Sequence, residues 1–164
     1  MVAIGHTAVG AFAGVFTYQI FGETGLLPGL LAAGVTGIIS HYITDFIPHG
    51  HFIKMRDYKT QIIPVIIFDL LLGIIIFLAA AFLKDQIGLR FFYILFGIGG
   101  AQLPDVLDGL IYIKALPKQG FIKYENNFHQ WLHWHGRGDN CLMFGVRDIW
   151  QLSAIVISLY LVVG

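Results

Sequence analysis

The sequence predicts an all-α membrane protein, a polytopic helix bundle of about five transmembrane helices with a His-rich cytoplasmic segment. Three observations lead there. The 164 residues are 57% hydrophobic and only 12% charged, with mean hydropathy +0.75, whereas a soluble domain carries roughly 25% charged residues to cover its surface. The apolar residues also run in stretches long enough to cross a bilayer, which takes about 20 helical residues. Finally, the histidines and buried-type acids gather towards one end of those stretches. Ten basic and ten acidic residues cancel, so no net field steers the chain to an acidic partner, and nucleic acid is excluded as a ligand. Cys141 is the sole cysteine, so neither an internal disulfide nor a multi-thiolate metal site can form.

The elements follow from where full charges interrupt the apolar runs. Residues 1–22 carry none, which places a first span at about 2–21. His6 within the first two turns and the lack of a basic leader make it a retained helix rather than a signal peptide. Residues 24–44 are again free of charge and give a second span at about 26–46. The third, at about 61–83, contains one charge, Asp69; the fourth, at about 91–113, contains Asp105 and Asp108 near its end. The fifth, at about 149–163, is apolar but short. The extramembrane stretch 114–148 is rich in His, Trp, Gly and charge. One integral membrane domain accounts for the whole of 1–164.

Alternating spans sort the connections by side. The N-terminus, the 46–60 loop and 114–148 share one face, with eight basic residues against Lys84 and Arg90 on the other. The positive-inside rule makes the basic face, and with it the N-terminus, cytoplasmic. Small residues mark the stripe on which membrane helices approach one another. His6, Gly10 and Gly14 share such a stripe, as do Gly34, Gly37, His41 and Asp45; Asp69 and Gly73; and Gly97, Ala101, Asp105 and Asp108. All the polar groups therefore face the bundle interior.

Four acids at one depth, with no Lys or Arg inside a span to pair with them, repel one another unless a cation intervenes. Four carboxylates balance two divalent ions, so the expectation is a dinuclear centre. His41/Asp45 and His129/His133 are spaced i, i+4 and Asp105/Asp108 i, i+3, which puts two donors on one helical face. The expected metal ligands are His6, His41, Asp45, Asp69, Asp105, Asp108, His129 and His133. Mixed imidazole and carboxylate donors suit Zn, with Mn or Fe next. Asp108 and His49 are the candidate general acid and base, and Lys123, Arg137 and Arg147 the candidate phosphate-binding cations.

Ser40-His41-Tyr42-Ile43-Thr44-Asp45-Phe46-Ile47-Pro48-His49-Gly50, with Gly5-His6 and Leu103-Pro104-Asp105, resembles motifs of the bacterial membrane-bound metal-dependent hydrolases. That group includes an inner-membrane hydrolase of the DNA-damage regulon. The HxxxD element also resembles the ligand pattern of zinc-dependent phospholipase C. The resemblance implies a bacterial inner-membrane location and His6, His41, Asp45 and Asp105 as metal ligands. The family's Asp-x-Asp-His is here Asp105-Val106-Leu107-Asp108-Gly109, and its His-Arg-Gly-x-Thr-His-Ser motif is absent, with the His129–His135 cluster as the substitute. The leading expectation is a hydrolase of phosphoesters or lipids at the cytoplasmic headgroup level, with membrane lipids as partners. The alternatives are a non-catalytic, metal-stapled subunit of a homo-oligomer or larger membrane complex and, less favoured, a metal-ion transporter.

Overall fold

A computed structural model describes residues 3–47, 58–83, 88–135 and 149–163; within the helices, the side chains of 3, 58–66, 68, 69, 81, 83, 133–135 and 163 lie outside the description. The described residues are helical, with no strand among them: α1 (Ala3–Phe21), α2 (Leu26–Phe46), α3 (Tyr58–Leu83), α4 (Leu89–Tyr112), α5 (Gly120–His135) and α6 (Ile149–Val163). Among them α2 and α4 are long and apolar enough to cross a membrane, while Leu70–Ala80 in α3 and Ile149–Val162 in α6 are shorter apolar stretches. At 1.5 Å per residue, α2 spans roughly 31 Å.

The turn from α1 to α2 is short because of Gly25, whose φ of 116° lies where an L side chain is strained. Pro28 follows in the first turn of α2, where its missing N–H has no intrahelical partner to lose. The buried Tyr93 of α4 reaches this turn and donates to Phe21 O at 3.1 Å.

Glycine sets how closely the three central helices meet. α4 packs against both α1 and α2. A Cβ on Gly97 would run into Gly10 O and Gly14; one on Gly37 would strike Gly97 O; one on Gly100 would strike Gly34 O. On the far side of α1, α3 and α6 pack against it and each other, around a core of Ala8, Ala11, Val15, Phe77, Ile94, Ile98 and Val162. Ala and Gly line the central crossing, and many large hydrophobic side chains are exposed on the outside. Leu27, Leu31, Val35, Ile39, Ile43 and Phe46, spaced four, four, four, four and three, form one exposed row along the whole of α2.

The antiparallel order brings the start of α1 and the ends of α2 and α4 to one end of the bundle. There α4 closes with Lys114 N donating to Ile111 O and Ala115 N to Leu110 O, a Schellman-type stop with Lys114 in the left-handed region at φ 60°. The chain reverses through 113–119, and α5 packs back across the ends of α2 and α4. The His-rich stretch therefore contains a helix laid over the polar end.

Candidate metal centre

Asp45 is the centre of the site. It is fully buried in the last turn of α2. Its Oδ2 lies 3.0 Å from Nε2 of both His41 and His129, and its Oδ1 lies 3.1 Å from His6 Nε2. The two imidazoles are themselves 2.9 Å apart, Nε2 to Nε2. Asp105 Oδ1 stands further off, 4.0 Å from His41 Nε2 and 3.7 Å from His129 Nε2, on a side chain 27% exposed. His6 stacks on His41 with ring centroids 4.0 Å apart.

The other ring nitrogens fix what these Nε2 atoms carry. His41 Nδ1 lies 2.6 Å from the carbonyl oxygen of Ala101, which can only accept, so Nδ1 holds the proton. Pro104, inside α4, supplies no N–H to Gly100 O and crowds the turn that contains Ala101; Ala101 O is where His41 finds its acceptor. His129 Nδ1 lies 3.1 Å from Asp108 Oδ2. Neutral His41 therefore turns an Nε2 lone pair to the point where His129 Nε2 and the Asp45 carboxylate meet. Three polar atoms at 2.9–3.0 Å, out of water, need a proton or a metal ion between them. The electrostatics of His129 respond accordingly: burial pulls its imidazole down, but the hydrogen bonds to Asp108 and Asp45 and the charges of Asp105 and Asp108 outweigh it and push it up to about 10.

A divalent ion fits the same point. Metal–nitrogen distances of 2.0–2.1 Å place tetrahedral donors about 3.3 Å apart, and the observed separations fall on either side of that. Two groups can hold an ion by their spacing: the buried His6, His41 and Asp45; and His41, Asp105 and His129, of which Asp105 is partly exposed. Because His41 Nδ1 is engaged by Ala101, its Nε2 is the nitrogen left for an ion, and the two groups share it.

Asp108 sits behind His129. Its Oδ1 accepts from Asn126 Nδ2, and its Oδ2 from Gln130 Nε2 at 2.6 Å. The carboxylate thus faces α5 and belongs to neither donor group. Lys123 is exposed on α5. The side chains of Asp69 and His133, and the residues His49, Arg137 and Arg147, lie outside the described residues.

Several participants had no place in the expected ligand set. Thr44 Oγ1 contacts His6 Nδ1 at 3.2 Å, and Tyr42 donates to Glu125 at 2.9 Å, tying α2 to α5. Gln102 donates to Thr7 at 2.8 Å between α4 and α1. Asn126, His129 and Gln130 stand at i, i+3 and i+4, a spacing that identifies one face once 120–135 is known to be a helix. A scan of protein-family models, a search of curated proteins and a search of solved structures each find no match to this chain. What fold and site define is an all-helical bundle with a buried His–Asp cluster able to hold a metal ion.

Proposed function

We propose that the chain is a membrane-embedded, metal-dependent hydrolase acting on phosphoester or lipid substrates at the cytoplasmic headgroup level. The observation that carries this is the three-plus-one donor arrangement. His41 Nε2, His129 Nε2 and Asp45 Oδ2 are mutually 2.9–3.0 Å apart, while Asp105 lies 3.7–4.0 Å from the imidazoles and is partly exposed. Catalytic zinc sites of the two-imidazole, one-carboxylate kind keep a position open for water or substrate. A divalent ion there supplies Lewis acidity, lowering the pKa of a bound water towards about 7 and polarising a phosphoryl oxygen. Asp105, partly exposed beside the two imidazoles, would be the group to orient water there and hold its proton. His6 and Thr44 hold the other side of the pair: His6 faces Asp45 Oδ1, and Thr44 fixes His6 Nδ1. Asp108 positions His129.

One ion per chain is the stoichiometry that His41 supports, rather than the two expected from counting carboxylates. Asp45 and Asp105 with two neutral imidazoles carry −2, which one divalent ion cancels. Zinc suits the donors best, with Mn or Fe next. The five-span topology, the bacterial inner membrane and the cytoplasmic N-terminus complete the proposal, supported by the exposed apolar row of α2 and by the uneven spread of basic residues along the sequence.

A second reading rests on the same Asp105. Were it to close on the ion, four protein ligands would make a structural staple, and the chain a non-catalytic subunit of a membrane complex. A metal-ion transporter is less well supported, because both donor groups lie together at one end of the bundle. Detergent-purified chain loaded with zinc, assayed against a chromogenic phosphodiester and phospholipid vesicles, separates the readings. Turnover that requires both zinc and Asp105, abolished in Asp105→Asn with zinc retained, supports the hydrolase. Full zinc occupancy without turnover on either substrate supports the staple.

A further inference from the structure

The outer side of α5 carries a second pattern, unconnected with the cluster. Phe121, Tyr124, Phe128 and Trp131, spaced three, four and three, form one stripe. Phe121 is 80% and Tyr124 74% exposed, and the other two about half. The buried side of the same helix is Asn126, His129 and Leu132, and a third side is exposed and polar, with Lys123, Asn127 and Gln130. The stripe is continuous with the bundle's apolar exterior. Phe128 packs edge-on against Tyr42 of α2, centroids 5.2 Å apart, and stacks on Trp131 at 6.1 Å. Beside Tyr42, the row of α2 continues through Ile39, Ile43 and Phe46. Exposed Lys114, Lys118 and Lys123 flank the stripe.

We propose that α5 is an interfacial helix whose aromatic stripe seats in the headgroup–acyl boundary of an anionic phospholipid leaflet, holding His129 over the cluster. This rests on the membrane-embedded reading given above. Aromatic side chains with a polar edge partition to that depth, and a helix with an apolar stripe beside basic residues lies in the interface plane. The leaflet is the occupant that continuity with α2 and the neighbouring lysines select. Seating adds to the hold that α5 draws from the Tyr42–Glu125, Asp108 and His129 contacts.

The test uses the full chain in nanodiscs of phosphatidylcholine and phosphatidylglycerol, with Cys141→Ser and one fluorescent label at position 35, 124 or 127. Brominated lipid is expected to quench labels at 35 and 124, and aqueous iodide the label at 127. A label at 124 that iodide reaches as readily as 127, with 35 still lipid-quenched, overturns the seating and leaves the membrane reading standing. A label at 124 shielded from both quenchers means a second copy covers the stripe, which also overturns it. If iodide reaches all three, the membrane reading itself fails. In the same nanodiscs, Phe121→Asp with Tyr124→Asp is expected to weaken zinc binding roughly tenfold, the effect of losing a ligand's support. Unchanged zinc affinity refutes the hold on His129.

Discussion

Each imidazole in the cluster has one nitrogen occupied by a partner and one aimed inward. His41 is held by Ala101 O and His129 by Asp108. Partners of this kind set a ligand's tautomer and orientation, and their loss costs about 10–100-fold in metal affinity. Asp108→Ala is therefore expected to weaken zinc binding by about that factor, with Asp108→Asn recovering part of it; chelator competition measures both. Combining Asp108→Ala with His129→Ala should cost no more affinity than His129→Ala alone. In the metal-free chain a proton on His129 takes the cation's role, facing Asp45, Asp105, Asp108 and His41. Its folded value of about 10 stands above the ordinary 6.5, so the stabilisation is complete below pH 6.5 and is lost as pH rises towards 10. The melting temperature of EDTA-treated protein should fall between pH 7 and 10, and the fall should be shallower in His129→Asn. Zinc must displace that proton, so its affinity should rise with pH over the same range.

At the scale of the elements, the crossing of α1, α2 and α4 depends on where a side chain can be tolerated. Gly97→Ala forces a methyl into the α1 backbone at Gly10, while Gly99, two residues along the same helix, has open space around it. Overpacking of that kind costs about 1–3 kcal/mol, whereas an unobstructed Gly→Ala in a helix gains up to about 1 kcal/mol. Thermal unfolding should show Gly97→Ala destabilised, with reduced zinc retention, and Gly99→Ala unchanged or raised. This level was the most legible in the sequence. The shared spacing of small and polar residues on α1, α2 and α4 predicted the faces that meet, because a four-residue period fixes a helical stripe whatever the partner. The contribution of α5 was only half legible. The spacing of His129 and His133 put a donor pair on one face of 114–148, but the contacts of Asp108 with that segment were not visible. A carboxylate three residues from a ligand reads as a second ligand; that it turns to Asn126 and Gln130 instead depends on the reversal at 113–119, which brings α5 back over α4. Four acids suggested two ions; among the described residues Asp45 and Asp105 stand in the donor groups, while Asp108 also meets Asn126 and Gln130 of α5.

For the whole molecule, the described residues bury a polar cluster beside a small core and leave many Leu, Ile, Val and Phe side chains exposed. That arrangement fits a lipid solvent, in which helices gain little from burying aliphatic residues against one another. If the proposed orientation holds, a cysteine at position 123 should be labelled from the cytoplasmic side by an impermeant reagent; labelling from outside the cell reverses the orientation. The central claim, however, is the ion. Metal content of the detergent-purified chain, measured together with X-ray absorption at the zinc edge, tests it most directly. The proposed function predicts one zinc per chain with two imidazole nitrogens and carboxylate oxygen in its shell, and loss of the ion in His41→Ala and Asp45→Ala. A folded wild-type chain that stays metal-free after zinc incubation, or a zinc shell without imidazole, would contradict it.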